Sequence, residues 1–324
     1  MKKLMLMLCV LMILCGCSSN SGSGGNEQQE DHKYKIGVLQ LVQHAALDSA
    51  TSGFIDEVKK QLGEDKVEII VENAAGDTAN CSIIANGFIQ DGVDLILANA
   101  TPALQAAASA TGDIPILGTS VTEYGVALGI DNFSGTTGIN VSGTSDLAPL
   151  EDQAQMILDL LPETKSVGII YCSSEANSIY QVKVVKDYLV SKDIEVKEAT
   201  FTDSNDIALV ARDLCETVDV IYTPTDNMVA SCSETLAGIV VPAKKPVITG
   251  DEGTCASAGV ATLAIDYYEL GAETGRMAVE ILTGKANVGD MEIRYYTDPI
   301  KEYNAEIAAE LSIKIPQDYI KIGQ

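Results

Sequence analysis

Four short stretches carry most of the side chains that could do chemistry: Glu175-Ala176-Asn177-Ser178, Pro224-Thr225-Asp226-Asn227, Gly250-Asp251-Glu252 and Ile265-Asp266-Tyr267. Carboxylates, carboxamides and hydroxyls recur in them, and none contains Lys or Arg. Such a set accepts hydrogen bonds from a cation. It is poorly made for phosphate, sulfate or a dicarboxylate, which usually recruit Arg or Lys clamps. The chain has three arginines, Arg212, Arg276 and Arg294, all outside these stretches. A single carboxylate can still rest on backbone N–H groups at a helix N-terminus. Asn177-Ser178 and Thr101-Pro102 suit that use. A zwitterion such as an amino acid meets both conditions, with its ammonium on Asp226, Asp251, Glu252 or Asp266. The competing use of a strand-end Asp is to cap a helix.

Signatures of reaction chemistry are missing. The two histidines are His32 and His44. No H-E-x-x-H, G-x-S-x-G or P-loop occurs, and no G-x-G-x-x-G opens a helix. A nucleophilic triad would have to use His44, with no nucleophile context to support it. The expectation is a non-enzymatic protein with no metal and no cofactor. Of the eight cysteines, those beyond Cys17, namely Cys81, Cys172, Cys215, Cys232 and Cys255, are odd in number and form no C-x-x-C pair. That excludes a full disulfide framework and argues against a zinc knuckle. They read as small buried hydrophobes, with one pair still open to oxidation outside a cell. A net charge of −25 disfavours nucleic acid and anionic lipid surfaces as partners.

These stretches need elements that hold them at a common edge. Apolar periodicity predicts strands at 34–40, 67–72, 93–98 and 114–117. It predicts helices at 48–62, at 78–90 and in the Ala-rich run after Pro102. The rhythm then begins again. Residues 166–171 echo the strand around Gly37, 218–222 echo 93–97, and 246–250 echo 115–119. Helices at 178–191 and 205–215 and a strand at 194–200 lie among them. A strand at 261–265 and a helix at 268–282 follow, and the stretch to Gln324 is harder to place. The predicted fold class is α/β, with two doubly wound parallel-sheet lobes, the second built on the plan of the first. In such sheets ligands sit outside the carboxyl ends of the strands.

The N-terminus is of another kind. Lys2 and Lys3 precede an apolar run at 4–14, followed by Leu14-Cys15-Gly16-Cys17. The run is too short to span a bilayer as a helix. Residues 1–17 resemble a bacterial lipoprotein signal, cut before a lipid-bearing Cys17, with an ordinary secretion signal as the alternative. Residues 18–33, rich in Ser, Gly and Gln, read as a flexible tether.

Together the motifs resemble one family. Lys35-Ile36-Gly37-Val38-Leu39-Gln40 with His44-Ala45-Ala46-Leu47-Asp48, the four stretches above, and the continuation Tyr268-Glu269-Leu270-Gly271 occur in fixed order. They are similar to the TrpX-like family of ABC-transporter substrate-binding lipoproteins over residues 34–322. The resemblance implies a type I periplasmic-binding-protein fold with a three-crossover hinge. Lobe 1 would be 34–146 plus about 264–286, and lobe 2 would be 147–263 plus part of about 287–324. The implied protein is a monomeric, extracytoplasmic, lipid-anchored receptor that closes on an aromatic amino acid, tryptophan above all. It would then dock on a permease with its ATPase. Gln40, His44 and Asp48 would line one side of the cleft, with Thr101 and Ser120 near them. Glu175, Asn177, Ser178, Asp226, Asn227 and Asp251 would line the other, and Asp266 stays an ammonium candidate. A core or helix-capping role is equally open for His44. Leu41, Leu47, Tyr124, Tyr171 and Tyr267 are candidates for an apolar slot. One departure is Ala45, where the family usually has proline, which leaves the loop after the first strand less rigid. A sensory receptor of the same fold, a surface enzyme or adhesin, and a nucleoside-like ligand are the alternatives.

Overall fold

Gly37 and Gly168 sit in two strands that a side chain would spoil. A Cβ on Gly37 would lie 2.5 Å from the Phe88 ring, and one on Gly168 2.8 Å from Leu214. Each glycine lets a large apolar side chain of a neighbouring helix press onto its strand. The strands are also anchored alike at their starts. Asp94 accepts the Lys35 N–H at 2.7 Å, and Asp219 accepts the Lys165 and Ser166 N–H groups at 2.9 Å. The echo read in the sequence is therefore a repeat of one physical unit.

The computed structural model describes residues 33–323. The expected signal, Cys17, His32 and all of the tether but its last residue lie outside them. The chain runs through β1 (Tyr34–Gln40), α1 (Ala45–Leu62), β2 (Val67–Asn73), α2 (Thr78–Asp91), β3 (Leu95–Asn99), α3 (Thr101–Ala110), β4 (Ile116–Val121), α4 (Tyr124–Leu128) and β5 (Val141–Ser145). It crosses to α5 (Leu150–Leu160), β6 (Ser166–Cys172), α6 (Ala176–Ser191), β7 (Glu195–Phe201), α7 (Ile207–Thr217) and β8 (Val220–Thr223). There it continues through α8 (Asn227–Ser231), α9 (Ser233–Val240), β9 (Val247–Thr249), α10 (Glu252–Ala258) and β10 (Ala261–Ala264). It crosses back to α11 (Tyr267–Leu282) and β11 (Arg294–Tyr295), and a third time to β12 (Ile300–Tyr303), α12 (Ala305–Glu310) and β13 (Ile320–Lys321).

Among the described residues the sheet orders are β11-β5-β4-β3-β1-β2 and β13-β12-β10-β9-β8-β6-β7. Set β6 to β10 against β1 to β5 and the two orders agree. The strand pairs are parallel apart from β10 with β12. That exception departs from the all-parallel expectation for a topological reason. β5, β10 and β11 end where the chain passes to the other sheet, whereas β12 begins there and must run the opposite way.

β3 shows why its segment reads as a continuous apolar run. Leu95 and Leu97 pack on one face with Phe54, Val58 and Met277, and Ile96 and Ala98 on the other with Phe88 and Leu104. A strand covered on both faces has no polar side to alternate. β4 begins at Ile116, later than its pattern suggests, because Pro115 has no N–H for the ladder. Cys81, Cys172 and Cys255 are buried, Cys215 and Cys232 half-buried, and all five are free thiols. Burial pushes Cys81 and Cys232 up to about 11. Among the described residues no helix is long and apolar enough to cross a membrane.

The return helix α11 is locked to α1 through small residues. A Cβ on Gly271 would sit 1.9 Å from the Ala50 carbonyl oxygen, and one on Gly53 2.0 Å from that of Tyr268. Backbone meets backbone there, so no side chain can swing aside. Gly271→Ala is expected to cost about 1–3 kcal/mol by forcing the helices apart. Thermal unfolding measures it, and an unchanged melting temperature would show that the helices can slide freely.

Candidate functional site

Residues that follow β1, β5, β8, β9 and β10, and one inside β4, converge on a single cavity between the sheets. The space left between them is narrow, about 10 Å3. Its walls are His44, Ala46 and Leu47, then Ser120, Asp146 and Tyr267, then Thr225, Asp226, Asn227, Ala230 and Asp251. No Lys or Arg is among them. Ser120 sits at an irregularity of β4 with φ +54, a left-handed conformation that favours glycine.

Capping decides which carboxylates have spare acceptors. Asp226 has none to spare. Its Oδ1 accepts the Val229 N–H at 2.8 Å, and its Oδ2 accepts Cys172 N–H and the Ser178 hydroxyl, both at 2.7 Å. Glu175 stands behind it, accepting the Met228 N–H and both N–H groups of Asn227, and also Asn177 Nδ2. Burial pushes both carboxyls above their ordinary range while these donors pull them back. Asp251 differs. Its Oδ1 caps α10 through the Thr254 N–H at 2.8 Å, and its Oδ2 is buried without a partner.

Asp266 lies elsewhere. It is exposed, caps α11 through the Glu269 N–H at 3.0 Å, and faces an outer groove of about 430 Å3 that also holds Glu252 and Glu302. Burial, with Glu252 and Asp266 nearby, pushes Glu302 up to about 7. Ala46 and Tyr267 line both spaces and so form the wall between them.

On the first sheet, Gln40 and Asp48 do not line the cavity. Gln40 Nε2 donates to Asp48 at 2.7 Å, the Thr51 hydroxyl donates to Gln40 Oε1 at 2.7 Å, and Asn99 Nδ2 donates to Leu47 O at 2.8 Å. This network holds the start of α1 on β1 and β3. Thr101 opens α3 with its hydroxyl buried and unpartnered, as is that of Ser120. The residue between β3 and α3, Ala100, has φ +96, a strained turn for a residue with a Cβ. Leu47 and Tyr267 of the expected apolar slot reach the cavity. Tyr124 and Tyr171 instead donate to Thr144 O and Glu198, and Leu41 is in the core.

His44 takes neither a core place nor a side-chain capping bond. It spans the gap, with Nε2 3.3 Å from Asn227 Oδ1. The tautomer follows from the partner. Asn227 Nδ2 donates to the Glu175 carboxylate at 2.6 Å, which turns Oδ1 toward His44 and puts the proton on Nε2. Burial lowers the His44 pKa against the pull of Asp251, the Asn227 hydrogen bond, Asp48 and Asp226. The ring is therefore neutral at physiological pH.

Asp146 is the residue the sequence reading omits. It is 3% exposed, receives the Tyr267 hydroxyl at 3.0 Å on Oδ2, and has no partner on Oδ1. Its position in the repeat is the signal that could have found it, since it follows the fifth strand of its sheet as Asp266 follows the fifth of the other. Among the described residues no group of three His, Cys, Asp or Glu is placed to hold a metal ion.

Two α/β lobes, three crossings and a polar cavity between the sheets define a type I periplasmic-binding-protein fold. The chain belongs to the ABC transporter substrate binding protein family, which it matches over residues 35–323. It is 38% identical to the Tyrosine-binding protein of Clostridioides difficile over 260 residues, 80% of this chain and 75% of that one. A solved ABC domain in complex with L-Trp from Streptococcus pneumoniae is 33% identical, with TM-score 0.84 over 88% of this chain and 96% of that one. The ligand-free, open structure of a substrate binding protein with adhesive properties from Clostridium difficile is 36% identical. It covers 89% of this chain and 99% of its own, with TM-score 0.67. The lower score against a more identical chain puts the lobes here nearer the arrangement of the L-Trp complex than that of the open form.

Proposed function

We infer that this chain is the extracytoplasmic receptor of an ABC importer, tethered by a lipid on Cys17, and that it captures an aromatic amino acid by lobe closure. One observation carries the ligand class: a buried, unpartnered carboxylate oxygen on Asp251 at the wall of a cavity without cationic side chains. An ammonium satisfies it, and a buried acceptor left unmade costs free energy. The ligand carboxylate finds the unpartnered hydroxyl of Ser120 at the cavity wall. Ala46, Leu47, Ala230 and the Tyr267 ring supply the apolar contact. Closure turns about the crossings at residues 146–149, 265–266 and 296–299, and His44 meets Asn227 only when the lobes close, so the ligand selects the closed form by differential affinity. The names of the relatives, one for tyrosine and one with L-Trp, support this side-chain class. The receptor hands its ligand to a permease and ATPase.

Thermal shift of the chain without its signal and tether tests the reading. Tyrosine, tryptophan or phenylalanine is expected to raise the melting temperature in proportion to RT ln(1 + [L]/Kd). Nucleosides or sugars shifting it while amino acids do not would overturn the ligand class. The chain has 12 Tyr and no Trp, so a bound tryptophan is also visible by its own fluorescence.

A further inference from the structure

One carboxylate is shared by the hinge and the cavity. Asp146 lies in the first crossing, after β5, and Tyr267 opens α11 after the second. The Tyr267 hydroxyl donates to Asp146 Oδ2 at 3.0 Å. Tyr296, in the third crossing, donates its N–H to the Ser145 carbonyl at 3.3 Å, next to Asp146. The three crossings therefore meet at Asp146 and its neighbour Ser145. A bracket between crossings needs only one oxygen. The other, Oδ1, is buried without a donor in a side chain that lines the cavity.

We propose that Asp146 is a second contact for the ligand's ammonium, with Oδ1 on an ammonium N–H and Oδ2 on the Tyr267 hydroxyl, so that filling the cavity also fixes the hinge. Tyr267 is the positioning residue. The inference rests on the amino-acid reading and adds the group that ties capture to closure. Two buried carboxylates, Asp146 in the first crossing and Asp251 on α10, each offer one unpartnered oxygen to a space without Lys or Arg. A primary ammonium, with three N–H groups and a full charge, is the chemistry that satisfies both at once.

The site's titration gives a readout that a purely structural bracket lacks. Burial pushes Asp146 up to about 6, the Tyr267 and Thr122 hydroxyls and its own backbone N–H opposing and Asp251 adding to the rise. The groups that face it are Asp251 from α10, Tyr267 from α11, Tyr124 from α4, His44 at the start of α1, and Asp226 before α8. Burial holds both tyrosines far above their ordinary range and lowers the His44 pKa, and Asp226 has its oxygens taken by protein donors. Without ligand, the folded carboxyl binds a proton more readily than the unfolded one. Its contribution to stability therefore grows as pH falls through about 6. Ligand binding runs the other way, because the ammonium needs the ionised carboxylate.

The test is calorimetric titration of the full chain in detergent with L-tyrosine and L-tryptophan across this range. Affinity is expected to fall roughly tenfold between about pH 7 and pH 5, one unit below the Asp146 midpoint. Asp146→Asn should weaken binding about tenfold or more near pH 7 and flatten that part of the profile. Tyr267→Phe, which keeps the ring, should bind with its pH midpoint moved upward, since the hydroxyl no longer favours the ionised carboxyl. If both variants melt lower but keep the wild-type pH profile, Asp146 is a hinge bracket and the inference falls. If Asp251→Asn loses binding while Asp146→Asn binds normally, the inference falls and the amino-acid reading stands. If the wild type binds neither amino acid, both fall.

Discussion

Asp251→Asn is expected to leave the protein folded and to remove its affinity for an amino acid. The two oxygens of Asp251 do different work. Oδ1 accepts the Thr254 N–H at 2.8 Å and caps α10, and Asn performs that task about as well. Oδ2 is buried, has no protein donor and belongs to a side chain 3% exposed at the cavity wall. In the variant an NH2 takes its place, so a donor faces the ligand's ammonium and the charge pair is gone. Truncating one partner of a buried, hydrogen-bonded charge pair costs about 2–5 kcal/mol, so Kd should rise by at least about 30-fold and more typically several hundredfold. The unliganded melting temperature should hold or rise, because an unpaired buried carboxylate has been removed. Calorimetry with tyrosine and tryptophan, beside a melt without ligand, separates the two effects. Binding within about threefold of wild type would remove Asp251 from the site and with it the main support for an ammonium ligand.

The repeat is legible in the sequence because its devices are local. A strand with Gly inside it and an Asp that anchors its start occur in the same order in both halves, at Gly37 with Asp94 and at Gly168 with Asp219. The strand-end loops are legible for the same reason, and they include Asp226, Asn227, Asp251 and His44 of the cavity. Which acid keeps a free oxygen is not legible. Asp226, Asp251 and Asp266 share one sequence context, a carboxylate before a helix, and all three cap. Only the neighbours brought from β6 and α6 show that Asp226 is saturated, and only the position of the second crossing shows that Asp266 faces outward. Asp146 is hidden differently. The strand before it, Val-Ser-Gly-Thr-Ser, is short and mostly hydroxyl-bearing, buried because β4 and β11 flank it and not because its side chains are apolar. β11 and β13 have two residues each, too few to carry a period, so the C-terminal stretch gives no signal before it is paired.

Asp226→Asn is expected to do the reverse of Asp251→Asn and damage the fold before it damages recognition. The Asp226 carboxylate touches the cavity, but its hydrogen bonds run inward. Oδ2 receives two donors at 2.7 Å, the Cys172 N–H at the end of β6 and the Ser178 hydroxyl on α6, and Oδ1 receives the Val229 N–H of α8. All three partners are donors, so either orientation of an Asn amide points its NH2 at least at one N–H or O–H. If Oδ1 is kept, two donors in the buried junction of β6, α6 and α8 lose their acceptor. Ser178 can turn its hydroxyl away, but the Cys172 backbone N–H cannot. Each lost charge-assisted bond costs about 1.5–3 kcal/mol, offset in part by no longer burying a charge whose pKa burial has raised. A net loss of about 3 kcal/mol corresponds to a drop of roughly 6–12 °C in melting temperature for a domain of this size. The same loosening should reach Glu175 and Asn227, because Asn227 and Met228 begin the helix that Asp226 caps. His44 would then lose the fixed Oδ1 that it meets across the gap. Ligand affinity should therefore weaken secondarily and recover in part at lower temperature, where the junction re-forms, whereas the loss in Asp251→Asn should persist at every temperature. A variant that melts with wild type and binds poorly would reverse these assignments and make Asp226 the ammonium partner.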